Sequence, residues 1–426
     1  MKRALIVTYY WPPAGGPGVQ RWLNFVKYLR DFDVEPVVYV PENPHYPIID
    51  EELVSRLPSD LTILKQPIRE PYRFAGLISK RKTNLMSSGI ISEKKQSLLE
   101  KWMLYVRGNF FIPDARIGWV RPSVTFLSAW LTENDVDVII TTGPPHSVHL
   151  IGLHLKKQHQ IPWIADFRDP WTTIHYHKSL RLTKASEAKH KKMEATVLNT
   201  SDHIVVTSPS TKTEFKTITT KPITVITNGY ETSEVKTSVL DKKFSLSHIG
   251  SMLSERNPEI LWQVLSELVS EVESFADSLE IKLAGTVSEA VRKSLEANGL
   301  QAFSSMLGYV DLSEARNLQR NSQLLLVIEM NRPETRAIIP GKLFECLAAG
   351  RPVIAIGPEG SDMQAIVDAT KIGNFFSYTD KDRLKQQLQR NFEAFMEGHL
   401  EISPVGIQKY SRRELTRELS KLIHSL

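Results

Sequence analysis

Ile338-Ile-Pro-Gly-Lys-Leu-Phe-Glu-Cys-Leu-Ala-Ala-Gly-Arg-Pro-Val-Ile354 is the stretch that decides the fold. Pro340 suits the first turn of a helix, Gly350 suits its end, and Pro352 bars continuation before the β-branched pair that opens the next strand. A short helix returning directly to a strand is the repeating piece of a parallel sheet covered by helices. Lys342 and Glu345 stand three residues apart and so share one face of that helix. The helix N-terminus and Lys342 together suit a diphosphate, and a carboxylate at Glu345 can accept both hydroxyls of a ribose.

Working outward, short β-branched runs alternate with helix-length amphipathic stretches along the whole chain. Before residue 231 the expected strands are 4–9, 36–40, 137–141, 162–165, 203–206 and 223–226. After it they are 245–249, 279–284, 304–308, 323–328 and 352–356. The polar run 232–243 reads as a linker. The expected fold class is therefore α/β, with two doubly wound Rossmann-like domains facing across a cleft. The first spans 1–231, with a basic and aromatic insertion at about 69–125; the second spans 244–402. Residues 403–426 form a C-terminal helix expected to pack back on the first. Ligands of such sheets bind beyond the carboxyl ends of the strands, so the loops there carry the candidates.

The first strand runs into Trp11-Pro-Pro-Ala-Gly-Gly-Pro-Gly18, followed by a helix with apolar residues at Val19, Trp22, Leu23, Val26 and Leu29. Gly15 and Gly16 allow close backbone approach, although the spacing is not the dinucleotide fingerprint. Thr141-Thr-Gly-Pro-Pro-His146 sets a histidine on a rigid loop, able to bond a sugar hydroxyl. Ala165-Asp-Phe-Arg-Asp-Pro-Trp171 places Asp166 and Asp169 around Arg168 at the same edge, where a local salt bridge is the alternative to an acceptor site. His146, His149, His175 and His177 lack a completing carboxylate set, so no metal is expected.

The chain has 426 residues, 53 Lys and Arg against 48 Asp and Glu, and one cysteine, Cys346, so no internal disulfide can form. Residues 69–125 hold eleven basic against four acidic residues, together with Tyr72, Phe74, Trp102, Tyr105, Phe110, Phe111 and Trp119. That mixture suits an anionic membrane surface as well as it suits a solvated helical face. No nucleic-acid-binding motif accompanies it. The apolar runs fall short of the ~20 residues of a membrane span, and residues 9–18 read as a turn and not as a cleavage region. The chain reads as cytoplasmic, with peripheral attachment to the inner membrane face in view.

These residues resemble the GT-B retaining glycosyltransferases of family 4, related to sucrose synthase and to bacterial mannosyl- and N-acetylglucosaminyltransferases. The resemblance rests on Glu345-Cys-Leu-Ala-Ala-Gly-Arg-Pro-Val-Ile, with support from Gly15-Gly16, Asn228-Gly229, His248-Ile-Gly-Ser251 and Leu307-Gly-Tyr-Val310. It implies that Glu345 binds the donor ribose, Tyr309 and Val310 edge the base, and Gly16 approaches the diphosphate. It also implies donor contacts from Gly15, Ser251, Pro340, Gly341 and Leu343. His146 is similar to the family's histidine at the donor sugar. Two positions depart from the pattern: Ala337 stands where a glutamate contacts the donor sugar, and Ser251 where an arginine holds phosphate. Arg256 and Lys342 would then stabilise the leaving diphosphate, with Asp166, Arg168 and Asp169 on the acceptor side.

The implied function is transfer of a sugar, from a nucleotide-sugar donor and without metal or other cofactor, to a glycan or lipid-linked acceptor of cell-surface polysaccharide synthesis. A non-catalytic nucleotide-sugar-binding protein of the same fold is the alternative. A metal-dependent transferase using Asp135 and Asp137 is disfavoured, because those aspartates precede a strand.

Overall fold

The computed structural model describes residues 1–70, 98–232 and 239–426. The basic cluster Lys80-Arg81-Lys82 and the centre of the expected linker, 233–238, lie outside the described residues. The chain divides into two compact units, Met1–Thr227 with Arg412–Leu426, and Asn228–Ser411.

Among the described residues the first unit holds seven parallel strands in the order β3-β2-β1-β4-β5-β6-β7. They are β1 (Lys2–Thr8), β2 (Val34–Pro41), β3 (Thr62–Gln66), β4 (Val138–Gly143), β5 (Trp163–Phe167), β6 (His203–Val206) and β7 (Ile223–Val225). The strand β1 shows why this sequence makes a doubly covered sheet. Leu5 and Val7 pack into one apolar cluster, while Ala4 and Ile6 pack into another on the opposite face. An unbroken apolar run is what a parallel sheet covered on both sides requires. Each such buried branched side chain is worth about 1.5–3 kcal/mol against exposure.

Helix α1 (Pro17–Leu29) presses Trp22, Phe25, Val26 and Leu29 onto the second of those clusters. The last helix contributes Leu415, Leu419, Leu422 and Ile423 to the same cluster, a stripe of helical period. Its other described helices are α2 (Leu98–Phe110), α3 (Ile117–Leu131), α4 (Ser147–His159), α5 (Lys184–Thr200) and α6 (Pro209–Phe215).

The second unit holds six parallel strands in the order β10-β9-β8-β11-β12-β13. They are β8 (Phe244–Ile249), β9 (Leu279–Ala284), β10 (Ser304–Gly308), β11 (Leu324–Ile328), β12 (Val353–Ile356) and β13 (Gly373–Phe376). Its helices are α7 (Glu259–Glu271), α8 (Glu273–Ser278), α9 (Glu289–Ala297), α10 (Leu312–Asn321), α11 (Gly341–Ala349), α12 (Asp362–Thr370) and α13 (Lys381–Met396). The closing helix α14 (Arg412–Ser425) is the one packed in the first unit.

Strands β3 and β13 are not among those expected from sequence. Both are edge strands: β3 has no buried residue and β13 buries only Phe375 and Phe376, so neither carries a clear apolar run. β13 pairs because residue 373 is glycine. A Cβ there would meet the Val353 carbonyl oxygen at 1.9 Å.

In both sheets the strand order turns back on itself, between β1 and β4 in the first and between β8 and β11 in the second. Such switch points part the loops after the two strands and leave room for a ligand. Both of the glycine-bearing loops and the His146 loop issue from these strands.

Candidate functional site

At the switch point of the second sheet, the paired register of β8 with β11 ends at Ser247 and Leu325. One residue further the strands part, and the fully buried His248 fills the fork. Its Nδ1 lies 3.1 Å from the Leu326 carbonyl. A carbonyl only accepts, so Nδ1 carries the proton and Nε2 is left with a lone pair. The Lys342 Nζ, 2.9 Å away, donates to that nitrogen.

Lys342 comes from the first turn of α11, whose N-cap is Pro340 and whose end is Gly350 at φ 67°. Burial, together with the Arg256 charge, lowers the Lys342 amine to about 8. Burial and the Lys342 charge hold His248 well below the ordinary histidine range, hence neutral. Beside them the Arg256 guanidinium bonds the buried Glu329 carboxylate at 3.1 Å. Glu329 comes directly after β11, and its Oε1 also accepts the Met330 amide at 2.8 Å.

The turn after β8 is shaped for close approach. Gly250 has φ 118°, and a Cβ there would come within 3.1 Å of Lys342 Nζ. Gly285, after β9 at φ 109°, would bring a Cβ to 2.8 Å from the Gly250 carbonyl carbon. No L side chain is tolerated at either place without displacement.

Among the other expected donor contacts, Glu345 is exposed on α11, 3.4 Å from Gln319 Nε2. Ser251 is exposed and Tyr309 is 93% exposed, with Val310 half-buried beside it. Leu343 is fully buried in the core under α11, and its amide bonds the Pro340 carbonyl at 3.0 Å. Pro340 and Gly341 are half-buried.

In the first unit the loops after β1 and β4 are bound together by β5 and the loop that leaves it. Asp166 is 1% exposed and accepts from Arg21 at 2.9 Å, Trp22 Nε1 at 2.7 Å and Thr142 Oγ1 at 2.8 Å. Burial alone would raise this carboxyl, but those three donors hold it below its usual value. Arg168 donates to the main-chain carbonyls of Gly18, Gly143 and Pro144. Gly18 must be glycine there, because a Cβ would lie 2.7 Å from the Arg168 guanidinium. These two side chains therefore hold the walls of the switch point in place, and Asp169, half-buried, stands next to Arg168 in charge. Gly15 bonds Ile48 through its amide at 2.9 Å, and Gly16 caps α1 at φ 97°.

His146 is the N-cap of α4, 7% exposed, and neither ring nitrogen has a hydrogen-bond partner among the described residues. Its ring stacks on Trp171 at 4.9 Å and 2°. Burial, with His149 nearby, keeps it neutral well below the ordinary range. Trp171 in turn donates to His190 Nδ1 at 3.1 Å. Among the described residues no group of three His, Cys, Asp or Glu could hold a metal ion, and no helix is long and apolar enough to cross a membrane.

Residues 90–234 match the model of Glycosyltransferase Family 4. The chain has the GT-B fold. The whole GT-B chain is similar to the apo form of the lipopolysaccharide outer core galactosyltransferase WaaB, at 14% identity and TM-score 0.60 over 100% of this chain and 99% of that one. It is similar to S. aureus TarM, solved with Fondaparinux, alpha-GlcNAc-glycerol and UDP, at 11% identity and TM-score 0.58 over 99% and 100%. Sucrose-phosphate synthase of Thermosynechococcus elongatus is similar at 12% and TM-score 0.57 over 100% and 95%. No curated protein matches the sequence.

Sequence reasoning passed over His248, Glu329, Arg21 and Trp22 as site residues. His248 stood within a motif, yet nothing local announces that a strand residue will meet the helix residue Lys342, 94 positions later.

Proposed function

We propose that the chain is a glycosyltransferase that takes a nucleoside-diphosphate sugar as donor and transfers the sugar, with retention, to a glycan or lipid-linked acceptor of cell-surface polysaccharide synthesis. The observation that carries the donor assignment is the cationic pair at the second switch point. Lys342 stands at the uncapped N-terminus of α11, electrostatically coupled to Arg256, above a turn stripped of side chains at Gly250. Two cations and the positive end of the helix dipole stabilise charge developing on a leaving diphosphate, so the transfer calls for no metal in this reading. The exposed Glu345 carboxylate, on the same helix, takes the ribose hydroxyls. UDP in the similar TarM structure supports a nucleotide of this class.

On the acceptor side, His146 offers ring nitrogens with no partner among the described residues to a sugar hydroxyl. Asp169 and the walls held by Asp166 and Arg168 frame the same loops. Helix α2 exposes Trp102, Tyr105 and Phe110 beside Lys101 and Arg107, which supports peripheral docking at an anionic membrane where a lipid-linked acceptor resides.

Calorimetric titration with UDP and GDP tests the donor assignment. Glu345→Gln removes a charged contact worth about 1.5–3 kcal/mol, one to two decades of affinity. Lys342→Ala weakens the diphosphate far more than the nucleoside. Unchanged binding by Glu345→Gln overturns the assignment. Ala337 and Ser251 favour a second reading, a binder without turnover; slow release of free sugar from the donor distinguishes the enzyme from it.

A further inference from the structure

A lysine amine that is to meet a diphosphate must be kept charged and aimed while buried. Lys342 is flanked by His248 on β8, Arg256 after β8, Glu329 after β11, and Glu345 and Cys346 on its own helix. Cys346 is a neutral thiol, pushed up to about 12 by burial. Arg256 repels the ammonium, and Glu329 is already engaged by Arg256. His248 is the group in direct hydrogen-bond contact, 2.9 Å from Nζ.

The backbone of both Leu326 and Ser251 bonds this ring. With the Nδ1–H given to the Leu326 carbonyl, the neutral imidazole presents its Nε2 lone pair to Lys342. The lysine must therefore spend one N–H on the histidine, leaving two for phosphate oxygens. The direction of that bond fixes Nζ beside Gly250, where the absent side chain leaves the approach open.

We propose, on the strength of the donor assignment, that His248 is a positioning residue for the donor: its lone-pair Nε2 holds the Lys342 ammonium over the Gly250 turn, in register for the leaving diphosphate. His248 itself touches no substrate. Because Lys342 titrates at about 8, its charge is present below that pH, and diphosphate binding weakens as the pH rises through it.

The experiment uses the full chain and UDP, GDP and inorganic pyrophosphate as probes, titrated calorimetrically from pH 6.5 to 9. In parallel, the unliganded protein carries 13Cε-labelled lysine, with the Lys342 signal assigned by Lys342→Arg. His248→Gln keeps an acceptor oxygen and should bind within about threefold of wild type. His248→Phe removes both nitrogens; it should weaken the diphosphate about tenfold at pH 7 and move the Lys342 titration below its wild-type position, since a bond to the charged form is lost. Where His248→Phe fails to fold, His248→Asn, whose shorter amide reaches Leu326 but not Lys342, should show the same losses. Equal affinity in all variants, or Lys342 titrating near the ordinary ~10.4 in wild type, overturns the proposal. If the Lys342 titration follows His248 but none of the three probes binds wild type, the donor assignment is what has failed, and the pair is a structural contact only.

Discussion

Arg21 and Asp166 meet at 2.9 Å with 1% of each side chain exposed, joining helix α1 to the carboxyl end of β5. Breaking a buried pair by removing one partner costs about 3–5 kcal/mol, because the other charge is left uncompensated. Asp166→Asn should therefore lower the unfolding free energy of the chain by that amount. Chemical denaturation checks it; a variant that keeps full stability and loses only turnover would make Asp166 an acceptor contact instead.

His146 stacks on Trp171 and has both ring nitrogens unbonded among the described residues, so its packing and its polar function can be separated. His146→Phe keeps a flat ring in the stack. It should lower turnover by about one to two decades, the worth of one or two lost hydrogen bonds, while nucleotide affinity stays near wild type. Steady-state kinetics beside calorimetry decides; equal losses in both, or none in either, remove His146 from the sugar site.

Five histidines of the first unit are held below the ordinary range by burial: His146, His190 and His203, with His149 at about 3 and His177 at about 4. An unfolded histidine takes up its proton near 6.5. Below that pH the unfolded chain binds more protons than the folded one, so stability is intact above 6.5 and falls as the pH drops towards 4. A histidine contributes up to about 1.4 kcal/mol per pH unit between 6.5 and its own folded value. His177→Gln should flatten the decline by one proton in a urea series between pH 7 and 4.5. An unchanged slope would mean that His177 is protonated in the folded state.

Gly250→Ala should bend the second site without removing a charge. At φ 118° alanine is strained by about 1–3 kcal/mol, and its Cβ meets Lys342 Nζ at 3.1 Å. The expected outcome is weaker UDP binding together with a lower melting temperature. Wild-type affinity would show that Lys342 does not need that approach.

Trp102→Ser with Phe110→Ser removes two exposed rings, 63% and 72% accessible, from α2. Binding to phosphatidylglycerol vesicles at low salt should fall severalfold, and high salt should weaken what remains. Wild type that ignores such vesicles at low salt ends the membrane reading.

The α/β class, the strand–helix alternation and the position of the glycine loops were written locally in the sequence. Apolar runs such as 4–7 and 324–328, and the stop signals Gly350 and Pro352, act within a few residues of themselves. Edge strands β3 and β13 escaped because an edge needs little apolar surface, and β13 forms by a close approach of Gly373 that no pattern announces. Lys342 and Glu345 were legible as neighbours one turn apart on a helix. What they face was not. The tertiary structure alone decided that Asp166 turns inward to Arg21 and Trp22, that Arg168 spends its guanidinium on three carbonyls, and that His248 receives Lys342. The reason is physical: a sequence fixes which groups are charged and how the chain turns nearby, but the partner that offsets a buried charge is supplied by whichever distant strand the sheet order brings beside it.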